Sequence, residues 1–69
     1  MNFSELDVVF LIDDVSEYGI AAGSRGTILE VYSDGEYEVE FSNDNGETIA
    51  MFALSQDKLS LSSHLKRAA

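Results

Sequence analysis

The chain of 69 residues contains no cysteine and no proline, and only four basic residues stand against 13 acidic ones. Without cysteine there is no disulfide, thiolate metal site or cysteine nucleophile, and a cytoplasmic setting is expected rather than a secreted one. Without proline no strand loses a backbone donor, so the chain is free to pair throughout. Long apolar runs are missing too. The longest, residues 8–12 (Val-Val-Phe-Leu-Ile), has five residues, whereas a membrane-spanning helix needs about 20. The first residues carry Glu5 and Asp7 and no base, so no signal peptide is expected and no membrane is implied.

What the chain does have is apolar content typical of a folded domain, 45%, and room for a single one. A domain of this size buries only about 60% of the surface of its unfolded chain, so modest stability is expected. The charge is uneven. Of a net −9, residues 1–54 hold twelve acids against one base, Arg25, while residues 55–69 hold Asp57 against Lys58, Lys66 and Arg67. The acidic body repels phosphate backbones, which argues against nucleic acid. It suits solubility, or a partner of opposite charge.

The patterning is that of short strands. Residues 8–12 are too few for an ordinary helix and rich in strand formers, so they read as a buried strand. Residues 13–24 form a longer connection, in which Val15, Tyr18, Ile20 and Ala21 are expected to fold back on the core. In residues 26–32 the expected alternation puts Thr27, Leu29 and Val31 on one side and Ile28, Glu30 and Tyr32 on the other. Ser33-Asp34-Gly35 predicts a hairpin. The cleanest pattern follows: Tyr37, Val39 and Phe41 alternate with Glu36, Glu38 and Glu40, a period of two that belongs to a half-buried strand. Asn43-Asp44-Asn45-Gly46 predicts a second tight turn. Residues 48–54 predict a fourth strand, covered on both sides for part of its length. Residues 55–58 predict one helical turn capped by Ser55, and residues 59–61 a short fifth strand. The fold class expected is all-β, a five-stranded SH3-like barrel over residues 1–61 with one helical turn before the last strand. Residues 62–69 read as a flexible tail or short helix.

Four features invite chemistry, and each is better explained structurally. Gly23-Ser24-Arg25-Gly26 has glycines around a base but lacks the spacing and following helix of a phosphate loop; it reads as a turn into a strand, with Arg25 paired to a nearby carboxylate. Glu36, Glu38 and Glu40 stand about 6.5–7 Å apart along one face, but catalytic carboxyl pairs work across a cleft with one member buried. Residues 43–47 resemble a calcium loop only superficially, since Phe41 and Phe52 occupy positions where acids are needed. His64 has no second imidazole or thiol to complete a zinc site and no triad framework. No catalytic residue, metal site or cofactor is therefore expected, and the chain does not read as an enzyme. Most aromatics are expected in the core. Tyr18 and Tyr32 are expected to be partly exposed, and together with Glu30, Glu36, Glu38 and Glu40 they form the expected partner-binding set. The partner would be a basic protein; no number of copies of the chain itself is implied.

A resemblance covers residues 3–61. Phe3-x-Glu5-Leu6-Asp7-x-Val9-x-Leu11, Gly23-x-x-Gly26-Thr27-Ile28, Tyr37-Glu38-Val39-Glu40-Phe41, Asp44-x-Gly46-x-Thr48 and Asp57-x-Leu59 are similar to the pattern of a family of small bacterial proteins catalogued as a domain of unknown function. The resemblance implies an SH3-like barrel without assigned catalytic residues. It also implies a stand-alone small protein that can accompany a neighbouring uncharacterised, toxin-like one, and with that an antitoxin or immunity role. The Gly23 to Ile28 stretch also resembles the KOW motif of ribosome- and transcription-associated barrels, the alternative function; those modules are basic around the motif, and this chain is not.

Overall fold

A computed structural model of the chain describes residues 2–62. Five strands form within it: β1 (Val8–Leu11), β2 (Arg25–Tyr32), β3 (Glu36–Ser42), β4 (Thr48–Ser55) and β5 (Leu59–Ser60). All neighbours are antiparallel, in the order β4-β3-β2-β1-β5. Three 3-10 turns punctuate the chain at Ser16–Tyr18, Ser33–Gly35 and Gln56–Lys58. The last of these carries the chain from β4, at one edge of the sheet, across to β5 beside β1 at the other. The sheet curls into an open half-barrel of the SH3-like type, with β4 and β5 at its two edges. No helix among the described residues is long and apolar enough to cross a membrane. His64, Lys66, Arg67 and the tail expected after Leu61, Ser62 apart, lie outside the described residues.

The strands curl around one apolar core of Phe3, Val9, Leu11, Ile20, Ile28, Tyr37, Val39, Phe41, Phe52 and Leu59, with Val15, Ala50 and Leu54 packed against it. β3 supplies three of these residues from alternate positions, as its period of two requires. The lead-in segment closes one end. Phe3 packs edge-on against Tyr37 at 5.3 Å between ring centroids, and its backbone N–H donates to the Tyr37 hydroxyl at 3.1 Å. Thus the polar tip of a buried aromatic is satisfied by main chain.

The 12–24 connection folds back as expected through Val15 and Ile20, which bridge each other, while Ala21 is exposed rather than packed. Asp14 Oδ1 accepts a hydrogen bond from the Ala22 N–H at 2.8 Å, and the Gly23 N–H donates to the Leu11 carbonyl at 2.7 Å. These bonds deliver the chain to Gly26, where β1, β2 and β3 meet. Gly26 lies opposite both Val9 and Phe41. A Cβ there would stand 2.7 Å from Val39 Cγ1 and 2.9 Å from Phe41 Cε1, so only glycine lets the core rings close over β2.

Both tight turns form. Gly35 and Gly46 each adopt positive φ, the conformation glycine reaches without a Cβ clash. In the second turn, Asn43 Oδ1 accepts from the backbone N–H groups of Asn45 and Glu47, a side chain standing in for a backbone acceptor.

Three further expectations need correction. The alternation in β2 is broken: the register shifts between Ile28 and Glu30, leaving Leu29 unpaired. Beyond this bulge, Val31 shares the face of Tyr37, while Glu30 and Tyr32 join Thr27 on the outside. The expected burial of β4 on both sides is also wrong, since Phe52 is its one buried residue and Ile49, Met51 and Ala53 are exposed. Finally, Ser55 sits at the N-cap position but makes no side-chain cap to the turn; its hydroxyl donates to the Asp57 carboxylate instead.

Candidate functional site

The outer face of the sheet is assembled by register. Thr27 on β2 lies opposite Val8 on β1 and Glu40 on β3, and Glu40 lies opposite Met51 on β4. One row along, Glu30 lies opposite Glu38, which lies opposite Ala53. In the third row Tyr32, Glu36 and Ser55 are in line. The β2 bulge is what brings Glu30 onto this face. Without it, the strict period of two would send Glu30 inward with Ile28.

The result is four carboxylates on one surface, two of them directly opposite each other across a strand pair. Like charges in that position destabilise a sheet, whereas opposite charges stabilise it. Two of the four have local support. The Tyr32 hydroxyl donates to Glu38 Oε1 at 3.0 Å, and the Thr48 hydroxyl donates to the Glu40 carboxylate. The carboxylates of Glu30 and Glu36 take part in no hydrogen bond or ion pair among the described residues. The Tyr32 phenol holds its proton above the ordinary tyrosine value of about 10, first because it is hydrogen-bonded to Glu38, then through slight desolvation and the negative charges of Glu38 and Glu30.

Arg25 stands at one end of this face. It lines an open cleft with Thr27, Glu40, Asn43, Asp44 and Ile49. The expected ion pair is not formed: the Arg25 guanidinium makes no hydrogen bond or salt bridge among the described residues. Nor does any group of three or more His, Cys, Asp or Glu side chains converge there as metal ligands would, among the described residues.

Of the residues singled out from sequence, five meet on this surface: Glu30, Tyr32, Glu36, Glu38 and Glu40. Tyr18 does not. Its ring stacks on Phe52 at 4.0 Å between centroids and an interplanar angle of 3°, and Phe52 lies on the inner face opposite Val39. Tyr18 is 48% exposed, but it roofs the core at the 12–24 connection rather than joining the acidic rows. Two features of the outer face escaped the sequence reading. One is the facing of Glu30 and Glu38, which depends on the bulge. The other is the exposed apolar margin of Ile49, Met51 and Ala53 along β4. Its only sequence signal is the absence of charge from β4, which burial would explain equally well.

Comparison with curated proteins and with solved structures finds no match. A family model does match, over residues 5–61, which takes in every strand and all four outer-face glutamates. The chain therefore belongs to the family described as a domain of unknown function, DUF4926.

Proposed function

We propose that this domain is a non-catalytic protein-interaction module whose outer sheet face docks a basic protein, as an antitoxin or immunity-type partner of a neighbouring gene product in the cytoplasm. The observation that carries the reading is Glu30 facing Glu38 across β2 and β3, on a surface that also bears Glu36 and Glu40. Folding alone gains nothing from such a pair. A partner bringing lysine or arginine to it relieves the repulsion and is steered to the face by the net −9 charge. The same charge disfavours a phosphate backbone, so RNA and DNA are expected not to bind even at low salt.

The test is co-expression with the product of the adjacent gene, followed by size-exclusion chromatography at micromolar concentration. Co-elution is expected, weakening as salt is added and lost when Glu30→Lys and Glu38→Lys are combined. Separate elution of the two wild-type proteins would sink the reading, and salt-sensitive RNA binding in its place would favour the KOW-like alternative.

A further inference from the structure

The sheet has two edges, and they are treated differently. β5 has two residues, Leu59–Ser60, and follows directly on Lys58. Shortness and an adjacent lysine are both ordinary protections of a strand edge. β4 has neither. It runs for eight residues, Thr48–Ser55, with the sequence TIAMFALS, and contains no charge. It pairs with β3 on one side only. Among the described residues no backbone hydrogen bond joins β4 to anything beyond that ladder. Its one irregularity, the unpaired Ile49 between the Phe41 and Ser42 registers, lies near its start and leaves residues 50–55 in regular pairing. Ile49 and Met51 are 55% and 51% exposed. A long, uncharged, unblunted edge is a template for another strand.

We infer that the β4 edge is a strand-addition site that takes an extended segment of a basic partner protein, with lysine or arginine at alternate positions. This rests on the reading of the domain as a module for a basic protein and specifies how that protein is held. The occupant is chosen by charge. An added strand would lie about 5 Å from β4 and about 10 Å from β3, with every second side chain on the outer face. There the residue standing between the new strand and Glu38 is Ala53, the smallest side chain in that row. A lysine or arginine stem lies over Ala53 or along Met51 and brings its charge to Glu38 or Glu40. A second copy of β4 supplies no cation at all, and it brings another net −9 with it.

The experiment uses the isotope-labelled domain, with amide hydrogen exchange followed by NMR at low salt. The probe is a short peptide of alternating lysine and valine. A lysine–glycine peptide of equal charge but poor strand propensity is the control. Saturating lysine–valine peptide is expected to slow exchange at the outward-facing amides of β4 and to leave β3 unchanged. Ala53→Lys, an exposed substitution that blunts the edge, should abolish the slowing, and the control peptide should produce none. Three results would overturn the proposal. The first is no β4 protection at millimolar peptide. The second is shifts at Glu36, Glu38 and Glu40 with equal response to both peptides, which places the docking on the face and leaves the interaction reading intact. The third is β4 protection that grows with protein concentration in the absence of peptide, which assigns the edge to a second copy. Failure of the wider reading shows separately, as separate elution from the neighbouring gene product.

Discussion

The two faces of β3 carry opposite instructions. Inward, Tyr37, Val39 and Phe41 are buried in one core shared with residues from each of the other four strands. Outward, Glu36, Glu38 and Glu40 stand in a row beside Glu30, in an arrangement that a sheet tolerates rather than needs. One face is explained by folding. The other is not, and under the proposed function it serves a partner. Substitutions on the two faces should therefore differ in sign as well as size.

The largest effect belongs to the core. Phe41→Ala should destabilise the domain by about 3–5 kcal/mol, which for a domain of marginal stability means partial unfolding at room temperature. Thermal denaturation followed by circular dichroism checks this. Gly26→Ala should cost about 1–3 kcal/mol through overpacking, because the new methyl meets Val39 and Phe41. If the urea midpoint of that variant matched wild type, the close approach of β2 to the core would be disproved. Tyr37→Phe should cost about 1 kcal/mol. It keeps the ring and leaves the Phe3 N–H without its acceptor, so the loss should appear as faster amide exchange at Phe3.

On the outer face the expected effects are smaller. Folded Tyr32 keeps its proton to higher pH than the unfolded chain does. Its contribution to stability is thus complete below about pH 10 and is lost as pH rises through the raised pKa. Ultraviolet titration of wild type minus Tyr32→Phe isolates this group. The shift should shrink in Glu38→Gln, which removes both the charge and the best acceptor. An unchanged titration there would mean that the hydrogen bond to Glu38 is not its cause.

How much of this was legible in the sequence follows from where periodicity holds. β3 could be read residue by residue because its alternation is unbroken. β2 could not, because one unpaired residue, Leu29, swaps the faces of everything after it, and a bulge leaves no mark in composition. β4 was misread as doubly covered because apolar content is the same signal whether a strand is buried or lies at an open edge. Edge or centre is decided by the pairing order of distant segments. Tyr18 was expected beside the glutamates on grounds of exposure alone, whereas its stacking on Phe52 is set by the return path of the 12–24 connection. The acidic residues of the site were thus legible as a row. Their facing across two strands, and the open edge beside them, were not.

The contrast between the faces is tested most directly by Glu30→Lys, which leaves Tyr32, Glu38 and their hydrogen bond in place and turns a like-charge pair into an opposite one. Urea unfolding of this variant beside wild type, at low and at high salt, should give the variant the higher midpoint, equivalent to about 0.2–1 kcal/mol of added stability at low salt, with the gap narrowing as salt screens the pair. A midpoint below wild type at both salt concentrations would mean that the outer glutamates serve the fold, and the docking account would fall with that result.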